Sequence, residues 1–370
     1  MWYNTEKGRI MKKIGIITTG GDCSGLNTAI ARLVAGGALR GHKMFGVLDG
    51  MDGLMSRTQQ IIQLDVDSVP IHAMRLSGSF LKNGDPKNED FADAARAGKM
   101  NTFQSKLKKG IEESGLDALI LIGGNGSLSL AVQNMAVYSS VQLVCIPKTV
   151  DFDVPMTDAT IGFNTAVNQL AAFCDQLLLT ARSHHRWFVV QTMGRDTGHI
   201  ALHTGLATGA DAIIIPEVKF STENLVKHIK KSGRDFGIIL VAEGIKIRGH
   251  SGTAADMIAR ELLKGGIAAR TAFPGYIQRT GDTSATDKIL ATRFADAALD
   301  AVDNNETFVM TSLVDNEVVR IPLLEMFADG KICRDPNIRG ADMANSFVDL
   351  SSPLLRTASQ MGVYIGEIKK

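Results

Sequence analysis

Cysteine is scarce in the 370-residue chain, and no C-x-x-C pair occurs among Cys23, Cys145, Cys174 and Cys333. Thiols so scattered exclude zinc-ligand spacing and a disulfide framework, and they match reduced cysteines in a cytoplasmic protein. Long apolar runs are absent as well. No stretch reaches membrane length, and the opening MWYNTEKGRIMKK lacks the apolar core of a secretory signal. Nor does one sign of charge dominate: 40 Lys and Arg face 39 Asp and Glu for a formal net charge of +1. Without a run of like charge there is no electrostatic footprint for nucleic acid or a membrane surface, so an anionic ligand must be caught locally. No Pro- or Ser-rich linker and no internal repeat marks a domain boundary, and the length suits one large α/β unit or two ordinary domains.

What is plentiful is glycine, 37 residues, at the ends of short apolar runs. These runs are KKIGIITT (12–19), KMFGVL (43–48), DALILI (117–122), VQLVCI (141–146), WFVVQT (187–192), DAIIIP (211–216) and GIILVA (237–242). Helical spacing fills the intervals at 26–40, 128–137, 163–182, 197–207, 222–232 and 252–264. Runs apolar on both faces, alternating with helices, predict an α/β fold with a mainly parallel sheet whose ligands gather at the carboxyl ends of the strands. The stretch 76–101 is polar and irregular, as expected of an excursion over an active-site rim. TFVMTSLVDNEVVRIPL (307–323) reads as a hairpin about Asp315 and Asn316, with a more irregular tail after it.

Three strand ends carry chemistry. TTGGDCSGLNTAI (18–30) brings the bare backbone of Gly20 and Gly21, the acid Asp22, and a helix N-terminus. It has neither the Gly-Lys-Ser/Thr of a P-loop nor the dinucleotide fingerprint. LIGGNGSLSL (121–130) repeats the arrangement with Gly124, Asn125, Gly126 and Ser127. CIPKTVDFDVP (145–155) crowds Lys148, Thr149, Asp151 and Asp153 behind an apolar run. Phosphoryl transfer to an alcohol needs those parts: a carboxylate to accept the hydroxyl proton, a second to hold a metal or orient the base, and a cation to offset charge.

The ordered set G-G-D-x-x-G-x-N (20–27), G-G-x-G-S (123–127), P-K-T-x-D-x-D (147–153), M-G-R (193–195) and G-Y-I-Q-R-x-G (275–281) resembles the bacterial-type phosphofructokinase family. The resemblance implies two Rossmann-like three-layer domains with the active site in the cleft between them: a donor domain over 1–162 plus about 278–330, and a sugar-phosphate domain over 163–277 plus about 331–370. It implies ATP or pyrophosphate as donor, Mg2+ as cofactor, the 1-hydroxyl of fructose 6-phosphate as acceptor, and a homodimer or homotetramer with a shared sugar site. Another sugar phosphate or a cyclitol is the alternative acceptor, and a non-catalytic ligand-binding relative is the reading from a different class.

Carried over by matching position, Asp151 is the general base, with Thr149 and Asp153 as positioning groups and Arg195 steadying the moving phosphoryl. Met193, Gly194 and Glu243 line the sugar site. Arg279, with Arg186 and Arg270 reaching from a neighbouring subunit, meets the 6-phosphate, and Tyr276 stands where many relatives have His. Gly20, Gly21, Gly124, Asn125, Gly126, Ser127 and Lys148 receive the donor. Asn125 replaces the family's usual magnesium-binding acid, so Asn125 and Asp153 are the metal candidates, with Asp22 as a further acid that compensates. Gly126 leaves room for a nucleotide, while Lys148 matches pyrophosphate users. Phe152 replaces the usual Asn between the acids. Asp85 stands where an arginine normally meets the donor, with Lys82 or Lys87 as substitutes. Ala31 and Ala35 replace effector-binding arginines on the first helix, which predicts little allosteric control of the familiar kind, and Arg32 is read as a solvated helix charge.

Overall fold

The computed structural model of the chain describes residues 10–56, 58–69, 71–84, 99–246, 252–327 and 348–367. Asp85, Lys87, Cys333 and part of the expected tail lie outside the described residues. The chain divides into two compact units, one of Met1–Thr149, Met156–Gly162 and Ala285–Ile338, the other of Val150–Pro155, Phe163–Ser284 and Arg339–Lys370.

The first unit carries an eight-stranded sheet. Its strands are β1 (Lys13–Thr18), β2 (Lys43–Val47), β3 (Ile61–Leu64), β4 (Ala118–Gly123), β5 (Gln142–Thr149), β6 (Ile161–Gly162), β11 (Val309–Val314) and β12 (Glu317–Pro322). The order is β12-β11-β5-β4-β1-β2-β3, with the two-residue β6 beside the end of β5. Central pairs are parallel, in register Ile14 to Ala118 and Ala118 to Gln142. β3 and β12 close the edges antiparallel. All six residues of β4 are buried, as a strand covered on both faces requires, and each fully buried Leu or Ile there contributes about 1.5–3 kcal/mol. The expected hairpin is present: Asp315 and Asn316 take positive φ, 49° and 65°, the pairing a tight two-residue turn demands.

Helices α1 (Leu26–Leu39), α2 (Gly50–Met55), α3 (Met100–Ser114), α4 (Asn125–Gln133) and α9 (Ala285–Asp303) belong to this unit. α1 and the turn after it are tied to α9 by polar side chains. Arg32 Nη2 lies 2.6 Å from Asp296 Oδ1, Arg40 Nη2 is 2.7 Å from Asp300 Oδ1, and His42 Nε2 is 2.8 Å from Asp303 Oδ1. Arg32 is therefore an interhelical ion-pair partner, which corrects its reading as a solvated charge; its acceptor stands 264 residues along the chain, beyond the reach of local pattern.

The second unit has a four-stranded, wholly parallel sheet in the order β10-β7-β9-β8. Its strands are β7 (Trp187–Thr192), β8 (Ala212–Ile214), β9 (Gly237–Ala242) and β10 (Ala269–Ala272). Helices α5 (Phe163–Ser183), α6 (His199–Thr208), α7 (Thr222–Ser232), α8 (Ala254–Lys264) and α10 (Pro353–Gln360) complete it. One core is formed by Trp187, Val189, Ile239 and Val241 from the sheet with Leu225, Ile229, Ile258 and Leu262 from α7 and α8. Ser221 caps α7 and Thr253 caps α8 by accepting from the amides of Asn224 and Asp256, so both helices begin at fixed points.

Candidate active site

Within the first unit, β1 and β4 deliver the two glycine turns side by side. The amide of Thr19 donates to Ile122 O at 3.0 Å, and Thr19 Oγ1 donates to Ser127 Oγ at 2.7 Å. Such an approach needs glycine at 123, where a Cβ would stand 2.6 Å from Ser127 Cβ. Gly20 has φ 74°, and a Cβ on it would meet Ser127 Oγ at 3.5 Å and Lys148 Nζ at 3.8 Å. Lys148, at the end of β5, is 2% exposed, and its ammonium donates to Thr19 O at 3.0 Å and to Gly21 O. It thus holds the first glycine turn to the end of β5. A Cβ at Gly126, in the first turn of α4, would face open space. Asn125 is buried, and its Oδ1 accepts from Ser129 Oγ at 3.1 Å. Thr149 is buried too, its carbonyl accepting from Thr160 Oγ1 at 2.8 Å.

Within the second unit, the carboxyl ends of β7 and β9 and the segment 150–155 gather the charged groups. Asp151 is half-buried and Asp153 buried. Burial, then the charges of Asp153 and Glu243, push the Asp151 carboxyl up to about 7, while Arg279 and Arg195 pull it down. Four other sequence-predicted residues therefore bear on the charge of Asp151. Glu243 Oε1 accepts from the amide of Arg195 at 2.8 Å, which fixes the arginine's backbone in a left-handed turn of φ 55°. The Arg195 guanidinium itself is largely exposed, 3.9 Å from Asp196. Met193 is buried, Gly194 takes φ 132°, and Arg279 lies over the Tyr276 ring at 5.3 Å from its centroid.

Arg186 and Arg270 stand apart from this group. Arg186 immediately precedes β7, and Arg270 is aligned with Phe188 near the amino end of that strand. Arg195 follows the carboxyl end, and six residues of strand put about 20 Å between the two ends. Arg270 instead donates from Nη1 to Ala269 O.

Two positioning residues were missed in the sequence. Thr197 Oγ1 lies 2.8 Å from Asp151 O and 3.1 Å from Gly194 O, joining the acid segment to the M-G-R turn. Gln278 Oε1 accepts from the amide of Met193 at 3.1 Å while its Nε2 donates to Gly275 O at 3.0 Å. Gln278 lies inside the GYIQR motif and Thr197 two residues past M-G-R, but only burial reveals their work.

Among the described residues no group of three or more His, Cys, Asp or Glu comes together to hold a metal. One Asp153 carboxylate and an Asn125 amide oxygen already engaged by Ser129 do not make a resident cage. Singly, each offers the kind of oxygen ligand that magnesium takes while keeping much of its water.

Parallel strands ending in glycine turns in one unit, and in the other a carboxylate of raised proton affinity acted on by two arginines, are features of an α/β phosphotransferase. The chain belongs to the phosphofructokinase family, whose family model matches residues 13–302. It is 33% identical over 373 residues to ATP-dependent 6-phosphofructokinase 1 of Nostoc sp., a match covering 96% of this chain and 99% of the relative. To the ATP-dependent 6-phosphofructokinase of Thermosynechococcus vestitus it is 35% identical, over 96% of this chain and 93% of the relative. Among solved structures, phosphofructokinase from Saccharomyces cerevisiae superposes with a TM-score of 0.75 at 27% identity, covering 87% of this chain but only 46% of the yeast chain. A pyrophosphate-dependent phosphofructokinase from Marinobacter aquaeolei gives a TM-score of 0.71 at 19% identity over 85% of this chain and 84% of its own, a likeness of fold.

Proposed function

We propose that the chain transfers the γ-phosphoryl group of ATP to the 1-hydroxyl of fructose 6-phosphate, giving ADP and fructose 1,6-bisphosphate, a step of glycolysis in the cytoplasm. The observation that carries the reading is Asp151: a carboxylate raised to about 7 by burial and two neighbouring carboxylates is matched to accept a hydroxyl proton near neutral pH. As the sugar oxygen bonds to phosphorus and the bond to the departing ADP oxygen breaks, the hydroxyl proton passes to Asp151. Arg195 steadies the transferred group, and Thr149 positions the base. Glu243, Met193 and Gly194 hold the sugar, and Arg279 takes its 6-phosphate, with Tyr276 donating a phenol without adding charge. Mg2+ supplies charge neutralisation on the donor phosphates, with Asp153 and Asn125 as its proposed contacts.

Two observations favour ATP over pyrophosphate. The open space at Gly126 leaves room for a nucleotide, and the relatives named above are ATP-dependent; Lys148, bonded to the carbonyls of Thr19 and Gly21, stands at the glycine turn that receives the donor. Gly20, Gly21, Gly124 and Ser127 complete the donor loop. The separation of Arg186 and Arg270 from Arg195 along β7 supports a homodimer or homotetramer in which those two arginines serve a neighbour's sugar site. The test is an assay of purified protein with fructose 6-phosphate and magnesium, ATP and pyrophosphate being supplied side by side. Fructose 1,6-bisphosphate formed with ATP at more than about tenfold the efficiency seen with pyrophosphate supports the reading; the reverse preference overturns the donor. Formation of a different bisphosphate from another acceptor at higher efficiency overturns the sugar.

A further inference from the structure

Between the two acids of the second unit stands a residue that the reaction itself does not use. Phe152 has φ 56°, a left-handed backbone that bulky side chains rarely adopt and that persists only where surroundings over-determine it. Its surroundings are aromatic. The ring stacks on Phe163, the first residue of α5, at 4.8 Å between centroids and 23° between planes. It meets His199, the first residue of α6, edge-on at 4.8 Å and 86°. Phe163 in turn packs edge-on against His203 at 4.9 Å, and His203 Nδ1 is 2.8 Å from His199 O, which closes the cluster onto α6. Offset-stacked and edge-to-face arrangements are the favourable geometries for such rings. On the same peptide segment, Thr197 Oγ1 donates to Asp151 O at 2.8 Å.

We propose that Phe152 is a positioning residue: its ring, seated between the amino ends of α5 and α6, holds the left-handed turn that aims the carboxylates of Asp151 and Asp153. An extended residue at 152 would put both carboxylates on one side of a straight segment, whereas the left-handed residue turns the chain between them. Relaxation at 152 therefore moves the base. The inference rests on the proposed transfer for its kinetic consequences, but its structural half stands without turnover.

The test compares Phe152→Ala, Phe152→Asn and Phe163→Leu with the parent chain, together with the Phe152→Asn/Phe163→Leu double variant. Alanine keeps the backbone penalty without the ring, so kcat falls about tenfold or more while the KM for fructose 6-phosphate changes less than about threefold. Asparagine adopts left-handed φ readily, so that variant keeps kcat within about threefold of the parent. Phe163→Leu costs about as much as Phe152→Ala in the parent, and nothing further in the Phe152→Asn background, which a merely structural role of Phe163 would not produce. Hydrogen exchange of the unliganded protein over residues 150–156 reads the turn without any reaction: faster in Phe152→Ala and Phe163→Leu, unchanged in Phe152→Asn. Equal exchange in all variants overturns the inference, as does a Phe163→Leu cost that is the same in both backgrounds. A chain inactive with every donor but showing the exchange pattern contradicts the proposed reaction and leaves the positioning role supported.

Discussion

Asp151 owes its raised proton affinity first to burial and then to the repulsion of Asp153 and Glu243, and both consequences have a definite sign. A base must be ionised to accept a proton, so kcat/KM should fall about tenfold per pH unit below about 7 and level off above it. Stability runs the other way. The folded carboxyl lies above its unfolded value of 3.8, so its favourable contribution is full below that value and is lost as pH rises through about 7. Asp151→Asn should therefore melt higher than the parent at pH about 8, with the difference gone at pH about 4. Thermal melts at both values check the sign, and a variant less stable at the higher pH contradicts it. Asp151 and Asp153 stood out by residue type and spacing, two acids close behind Lys148 at the end of an apolar run, whereas Arg195 was carried over by the family resemblance alone. The burial of Lys148 was not legible: its partners are backbone carbonyls of another strand's turn, which no side-chain pattern records.

Strands and helices were readable where hydrophobic contrast is high. The seven apolar runs all became strands, since residues covered on both faces are nearly continuous in apolar character. β3, with only Leu64 buried, and β10, which carries Arg270 and Thr271, have no such run. α9 was missed for a related reason. Much of what it buries is alanine, Ala291, Ala295, Ala297, Ala298 and Ala301, which contrasts weakly with its polar face. The structural work of the turns is done by single hydrogen bonds, above all that of Thr197 to Asp151 O. Replacing Thr197 by Val keeps the shape and deletes the donor. The expected cost is about 1–3 kcal/mol of stability, by denaturant unfolding, with kcat lowered more than the KM for fructose 6-phosphate. A change confined to stability would show that the two turns hold their places without it.

Across the whole molecule, the two-part organisation was expected from the ordered motifs and not from any linker, for the chain carries no Pro- or Ser-rich boundary. Each unit is discontinuous in sequence, and segments such as 150–155 leave one unit for the other without a compositional mark. Among the described residues no helix is long and apolar enough to cross a membrane. The shared-site reading predicts complementation. Asp151→Asn and Arg270→Ala should each be nearly inactive alone, yet subunits mixed by unfolding and refolding together should recover activity in sites that take Asp151 from one chain and Arg270 from the other. No recovery above the sum of the separate variants would place Arg270 outside the sugar site.

The account turns on the proton acceptor, and the direct measurement is turnover and fructose 6-phosphate binding in Asp151→Asn at saturating ATP and magnesium. The expected result is a dissociation constant within about threefold of the parent and a kcat lower by about 10²–10⁴-fold, since only the transition state uses the base. A kcat within about tenfold of the parent, with binding intact, would contradict it.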